Sequence, residues 1–517
     1  MSLDVRFAPL HPRAGRAATR GSSRSVRASA PSPRSQTSSS MRYAAPALLA
    51  CLALGACAHV RPADKSLPPA FETVEVNGAS RAPAGSIDLD RWWLAFNDPE
   101  LTGLIEQALA HNPDARTAAA KLTEARADRT EDLVQFAPQG DITASATRTK
   151  DIQLAGTVFD FPGFSTSGVT QANAANFNVS WELDIFKFLA ARNAVGGDLA
   201  AARFDYEGTR ATLAANVADA YFQARGLAIQ LEDARESARI ERNLYDSATK
   251  RAQAGLAATS DADRVAGDLA QADAQAAGLE AELQAQRRTI LILAGRTIEP
   301  TANLAVDASI GALPPVPESL PSELLKRRPD VREAAARITS AYGQGQIDAL
   351  SLLPTFSYKP GLGWAQQTQP GFSVTIQSIV SGLAVTQPVL SIPKLLAELR
   401  AQNARTEQAV DAYEKTLQTA FTDSEGALVR LDADRKRVAL LTDGEARAER
   451  GYKATKLGYD RGLNDLQTAL SAEQSWRSTR SQLTAAQVQA ARRTVQVYKA
   501  LGGGWPAERF PSDKQAR

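Results

Sequence analysis

The chain is poor in the side chains from which reactive sites are made. Of its 517 residues, three are His (His11, His59, His111), two are Cys (Cys51, Cys57) and two are Met (Met1, Met41). Both cysteines lie inside one apolar run, Tyr43–Ala58, so the rest of the chain can form no disulfide and has almost nothing for an imidazole, thiolate or metal site. An enzyme of those classes is excluded by inventory, and no cofactor is expected. Long apolar runs are missing too. The best one has 16 residues, short of the roughly 20 that a spanning helix needs. Excess positive charge is also lacking: 59 Lys and Arg face 57 Asp and Glu. Residues 1–56 hold eight of those bases and one acid, which leaves the remaining 461 residues with 51 bases, 56 acids and a net charge of −5. Nucleic-acid binding draws its affinity from phosphate neutralisation and does not suit such a surface.

What is present begins with an address. From Met41 the chain reads as a short basic start at Arg42, an apolar core and small residues before Cys57, the layout of a secretory leader. Leu54-Gly55-Ala56-Cys57 resembles the bacterial lipobox, which implies lipidation at Cys57 and a leader over residues 41–56. Several acyl chains anchor stably, because each buried CH₂ contributes about 0.8 kcal/mol. Ala58, where Asp would signal retention, implies sorting to the outer membrane. Residues 1–40, rich in Arg, Ser and Pro, are expected to be an over-extended start or a disordered prepeptide.

The remainder is duplicated. Residues 104–138 align with 320–354 at a constant offset of 216, with twelve identities including Pro113/Pro329, Asp114/Asp330 and Pro138/Pro354. Further on an offset of 207 pairs Tyr206-Glu207 with Tyr413-Glu414 and Gly255-Leu256 with Gly462-Leu463. The expected organisation is a linker at 57–97, a first repeat at 98–299, a Pro-rich connector at 300–319, a second repeat at 320–505 and a tail at 506–517. Each repeat holds a helix, two strands and a long helical hairpin. The first helix starts at Asn112-Pro-Asp or Arg328-Pro-Asp, where Pro suits the first turn and Asp the positive end of the dipole.

Strict alternation over Asn176–Asp184 predicts a strand with Phe177, Val179, Trp181 and Leu183 on one face and Asn178, Ser180, Glu182 and Asp184 on the other. Its partner, Asp141–Thr149, alternates weakly. In the second repeat Phe356, Tyr358, Leu362 and Trp364 share a parity, and Leu383, Val385 and Val389 line one face of the returning strand. Such strands fit a half-buried sheet, and their length also fits a membrane barrel. Residues 163–299 and 394–505 contain no Pro, and a helix over about Ala194–Gln253 would run to roughly 90 Å. Val265, Leu269, Ala272, Ala276, Leu279, Leu283, Gln286, Ile290 and Leu293 follow the 4-3 spacing of a coiled-coil seam.

Four strands cannot close a barrel, since about eight is the smallest that fills its own interior. Open edges cannot face lipid. If the strands span a membrane, the protein is an oligomer, and three chains would give twelve strands. The expected fold class is therefore mostly α with a β-barrel portion: long antiparallel coiled-coil helices forming a tunnel, and four membrane strands per chain completed as a trimeric 12-stranded barrel.

The residues resemble the outer-membrane factors of bacterial tripartite efflux pumps, the TolC- and NodT-related lipoproteins. The resemblance rests on Trp92-Trp93-Leu-Ala-Phe96-Asn-Asp98-Pro99, Asn112-Pro-Asp, Trp181-Glu-Leu-Asp-Ile-Phe186, Ala254-Gly255-Leu256 with Asp261, Arg327-Arg-Pro-Asp330 and Ala500-Leu-Gly-Gly-Gly-Trp505. It implies a passive homotrimeric channel in the outer membrane that extends into the periplasm, docked to an inner-membrane transporter through a periplasmic adaptor. The turns at Gly255, Leu256, Gly462 and Leu463 would be the adaptor contacts. Three departures stand out. Lys187-Phe188 replace the usual Gly-Arg, and Leu390-Ser-Ile-Pro-Lys394 replaces a Gly-Gly exit. The acids that ring the aperture in relatives fall at Thr468 and Ser471, both neutral; Asp261, Asp465, Thr468 and Ser471 are the aperture positions, and Asp465 and Glu473 could supply the missing charge from neighbouring turns but read more readily as solvated surface acids. Two rivals remain open: a duct for secreted proteins, and a lipid-anchored coiled-coil scaffold that conducts nothing.

Overall fold

The computed structural model describes residues 61–71, 81–82, 88–152, 154, 168–255, 258–317, 321–369 and 371–506, all within one unit, His59–Arg517. Cys57, Leu256 and nearly all of the tail lie outside the described residues, as does everything before residue 61.

The first repeat runs α1 (Pro99–His111), α2 (Pro113–Val134), β1 (Gln139–Asp151), β2 (Gly168–Glu182), α3 (Ile185–Gln253) and α4 (Thr259–Leu293). The second runs α5 (Pro329–Leu350), β3 (Thr355–Gln369), β4 (Phe372–Thr386), α6 (Ile392–Asp460) and α7 (Leu466–Ala500), with a single helical turn, Leu324–Arg327, before α5. α3 and α6 each have 69 residues, and α4 and α7 each have 35. The offset changes between the halves because 16 residues join β1 to β2 whereas two join β3 to β4.

Local chemistry explains the boundaries. The Asp98 carboxylate accepts from the backbone amides of Glu100 and Leu101 and starts α1, a helix separate from the one expected at Asn112. Asn112 ends α1 and caps α2, its Oδ1 accepting from the Asp114 amide at 2.7 Å while its Nδ2 donates to the Leu293 carbonyl. α3 begins nine residues before the expected Ala194, because Asp184 caps it through the Lys187 amide at 2.9 Å. At 1.5 Å per residue, α3 and α6 are each about 100 Å long. Among the described residues no helix is long and apolar enough to cross a membrane.

The seam expected in α4 is present: Val265, Ala272, Leu283 and Ile290 are buried and the other seam positions, Leu269, Ala276, Leu279, Gln286 and Leu293, are half-buried, while Asp261, Asp273 and Glu280 are exposed. α3 crosses α5 at a contact that excludes side chains. A Cβ on Gly197 would stand 2.5 Å from the Ser340 nitrogen, and one on Gly343 would stand 2.5 Å from the Ala194 nitrogen. The main core lies at mid-helix. Trp92 stacks on Tyr498 with ring centroids 5.7 Å apart, Phe96 meets Phe222, and Leu213, Val217, Tyr221, Leu283, Ile290 and Val495 close around them. The C-terminal Trp505 packs edge-on against Phe204 and donates its indole N–H to the Arg327 carbonyl at 2.9 Å, and the Tyr498 hydroxyl donates to the Pro315 carbonyl in the connector. The double-Trp motif, the connector and Trp505 are thus pinned to the same level of the helices.

Candidate channel wall and helix tips

The four strands form one antiparallel sheet in the order β1-β2-β3-β4. The strands have 13 to 15 residues instead of the nine expected. Directly opposed residues share a face, so the register places Ile142, Phe177, Leu362 and Ile379 in one row and Trp181, Tyr358 and Leu383 in another. Phe356 and Val385 extend the same face, and Leu183 joins them through its amide, which donates to the Phe356 carbonyl. Phe177, Trp181, Leu183, Leu362, Ile379 and Leu383 are all exposed in the chain. From Phe356 to Trp364 the apolar band covers nine residues, about 30 Å of strand or roughly 23 Å along a membrane normal at about 40° tilt, close to the apolar belt of an outer-membrane barrel.

Asn178, Ser180 and Glu182 lie on the opposite face with Asp141, Asn176 and Lys359, and all of these but Glu182 line a hollow of about 630 Å³. β4 departs from this segregation, carrying Val374, Ile376 and Val380 on the polar face. Asp184 lies beyond the last strand residue, Glu182, at the head of α3, where its carboxylate also faces the Lys187 ammonium at 3.8 Å. The Lys187-Phe188 departure is absorbed there, since Phe188 packs edge-on against Phe136. Val389 is not in the returning strand: β4 ends at Thr386 and Val389–Ser391 form a 3-10 turn that leads to α6, because Pro388 cannot donate to a strand partner.

At the far ends of the long helices the chain reverses at Gly255 and Gly462, with φ of +71° and +74°, a conformation that favours glycine. The Leu463 amide donates to the Gly458 carbonyl at 2.8 Å, and the Leu463 side chain is 77% exposed. The Arg251 guanidinium sits 4.9 Å from the centre of the Tyr459 ring and ties the end of α3 to that of α6. Asp465 caps α7 and accepts from the Thr468 amide at 2.7 Å, and its bonds to Thr468 hold its carboxyl below the usual range. Asp465 and Thr468 are therefore joined, while Asp261 in the first turn of α4 and Ser471 on α7 are exposed and take no part in that cap.

Glu473 corrects the expectation of a solvated acid, being 1% exposed. Neither of its carboxylate oxygens has a hydrogen-bond partner, and the Arg477 Nε lies 3.5 Å away. Arg477 donates to Glu241, itself 1% exposed, at 2.7 Å. Burial raises both carboxyls, and Glu473 is pushed up to about 7. Next to this trio Trp476 stacks on Tyr452 at 5.2 Å and donates to Glu445, and Arg480 pairs with Asp233. A polar layer thus joins α3, α6 and α7 above the tips. The available signal was spacing: Glu473 follows the buried Leu470 by three, a seam position.

A sheet with an apolar outer band and a polar inner face, carried on helices about 100 Å long that end in tight turns, defines the subunit of a membrane channel that continues as a helical tunnel. The chain belongs to the outer membrane efflux protein family, whose model matches residues 104–296 and 320–503. It is 28% identical over 464 residues to the pyoverdine export outer membrane protein OpmQ of Pseudomonas putida, spanning 88% of this chain and 96% of that protein. It is 26% identical over 478 residues to the toluene efflux pump outer membrane protein TtgC of Pseudomonas putida, spanning 87% and 95%. The solved outer-membrane channel OprN matches with a TM-score of 0.73 at 25% identity, covering 87% of this chain and all of that one. The protein is an outer-membrane channel of an efflux pump, and its family is one of transport channels, not of enzymes.

Proposed function

We propose that three copies assemble into a passive exit duct for small molecules. The carrying observation is the sheet itself. Its two edges, β1 and β4, have no strand partner among the described residues, and unpaired backbone groups facing lipid cost several kcal/mol each. Pairing β1 of one copy with β4 of the next closes twelve strands, puts the Phe177, Val179, Trp181 and Leu183 face against lipid and puts Asn178, Ser180 and Glu182 around water, with Asp184 at the inner rim.

Cys57 carries the lipid anchor. Four residues later Arg61 pairs with Asp411 at 3.1 Å and Glu414 at 2.8 Å on α6, which supports a linker running down the helices from that anchor. The turns at Gly255-Leu256 and Gly462-Leu463 dock a periplasmic adaptor, and the inner-membrane transporter behind it supplies the energy. Relatives named for pyoverdine and toluene support a small-molecule cargo. The duct opens by splaying its tips, two packings of one bundle biased by partner contacts.

The test combines conductance and cross-linking. Purified protein should conduct ions in planar bilayers as a trimer, and Cys pairs introduced beside Gly255 and Gly462 should stop export when oxidised. Absence of conductance under every opening condition would favour a scaffold instead, and undiminished export in a fully cross-linked sample would refute opening at the tips. Cys57→Ser should abolish incorporation of labelled acyl chains while the closed barrel keeps the protein in membrane fractions; release of the variant would favour the scaffold.

A further inference from the structure

The charges of the sheet are sorted by face and by height. Asp141, Asp151 and Glu182, the acids of the four strands, all lie on the polar face, as does Lys359. The other two bases, Arg148 and Lys150, lie on the apolar face, at the end of β1 remote from the helices. That face changes in rows. The last row of the band joins Ala144, Ala175, Trp364 and Gln377; the next joins Ala146, Asn173, Gln366 and Thr375; the third joins Arg148, Gln171, Thr368 and Ser373. Lys150 opposes Val169 one row further on.

Arg148 is four residues beyond Ala144, about 13 Å of strand, or roughly 10 Å along the normal at about 40° tilt. The headgroup layer extends roughly 5–8 Å beyond the hydrocarbon on each side, and a long basic side chain can bend back by several Å to reach it. Two cations two residues apart therefore stand at headgroup depth, flanked by amide and hydroxyl side chains, above an apolar band rimmed by Trp364. No carboxylate of the strands shares the face to neutralise them, so the charge is complementary to an anion held at that depth.

We infer that this rim binds the phosphate-bearing headgroup of an anionic lipid in the outer leaflet, its acyl chains lying on the band below. The inference rests on the proposal that this face of the closed barrel meets lipid. Arg148 supplies a planar fork suited to phosphate, Lys150 a second point charge, and Gln171 and Thr368 neutral hydrogen bonds.

The experiment measures binding of bisphosphorylated lipid A, its monophosphorylated form, phosphatidylcholine and inorganic phosphate to the purified full-length trimer, with planar-bilayer conductance recorded on the same wild-type preparation. Wild type should prefer the bisphosphorylated lipid, and R148Q/K150Q should bind it roughly thirtyfold more weakly, the sum of two surface cations. The swap R148K/K150R should retain most of the affinity, which separates charge from folding, and Lys359→Gln on the inner face should leave lipid binding unchanged. Equal binding by wild type and R148Q/K150Q, or equal competition by inorganic phosphate, would overturn the lipid rim while leaving a conducting wild type as evidence for the barrel. A wild type that neither inserts nor conducts would overturn both.

Discussion

Glu473→Gln tests whether the buried polar layer stores a proton. In the native chain Glu473 is pushed up to about 7 from an ordinary 4.5, chiefly by burial and only partly offset by Arg477. A carboxyl raised on folding binds its proton more tightly in the native state, so its contribution to stability is full below pH 4.5 and is lost as pH rises through 7. At 1.36 kcal/mol per pH unit the difference amounts to about 3 kcal/mol. Glu241 is raised by burial as well and shares Arg477, so the two acids titrate as a pair.

Hydrogen exchange suits this question better than global melting, because a long channel subunit opens locally before it unfolds. In wild type the amides around residues 466–480 should lose roughly a hundredfold in protection between pH 5 and 8, after correction for the intrinsic exchange rate. In Glu473→Gln most of that slope should vanish, and at pH 8 the variant should be better protected than wild type, since a neutral amide bears no ionisation penalty. Arg477→Ala makes the opposite change. It strips two buried carboxylates of their counter-charge, which costs about 3–5 kcal/mol at pH 8 and less at pH 5. If Glu473→Gln keeps the wild-type slope, the proton is not on Glu473 and the argument from burial is wrong.

Other expectations follow from the packing. Trp505→Ala removes the edge-on contact with Phe204 and the bond to the Arg327 carbonyl, at a cost of about 3–5 kcal/mol seen as a lower temperature of trimer dissociation on gels. Gly343→Val forces apart the backbones of α5 and α3 and should abolish assembly of the proposed trimer. Gly267→Ala, at a helical position with nothing within 4 Å of the added carbon, should stabilise α4 by about 0.5–1 kcal/mol in the same assay.

The sequence carried the repeat, the long helices and the seam of α4, because uninterrupted periodicity without proline leaves few alternatives. It understated the strands for a physical reason. Alternation shows only where one face meets an apolar phase, and beyond the Trp364 row both faces carry small or polar residues, chiefly Gln, Asn, Thr and Ala, so the outer parts of β2 and β3 give no contrast. The separate α1 was hidden because Asn112-Pro marks a helix start as strongly as a helix stop, and Asn112 serves as both. Asp184 continued the polar parity of β2, yet its place two residues before Phe186 is equally that of a helix cap, and the cap prevailed. Glu473 was misplaced because a lone acid in a polar helix reads as solvated until the facing helices are known. Only the packing of α3 and α6 against α7 brings the buried Glu241 up to the half-buried Arg477 and makes Glu473 a seam residue.

The order of these features along the helices gives the channel its mechanical logic. The aromatic core around Trp92, Tyr498 and Trp505 holds the two repeats and the connector at one level, and removing any contact there exposes large apolar area. Toward the tips α6 buries no residue between Leu431 and Tyr452, and the contacts beyond that gap include the Tyr452–Trp476 stack, the Arg251–Tyr459 pair and the Glu241–Arg477–Glu473 layer. Polar contacts of this kind can exchange with water when they open, whereas the aromatic core cannot. If the duct opens at its tips as proposed, a partner that biases them works against the polar layer while the core stays closed. The direction of the pH effect follows from the same geometry: ionising both acids weakens the layer and favours the open packing, so at equal adaptor occupancy wild-type conductance should rise from pH 5 to pH 8, and Glu473→Gln should flatten that rise. A wild-type conductance that falls over this range, or a variant that keeps the full rise, would separate tip opening from the buried acids.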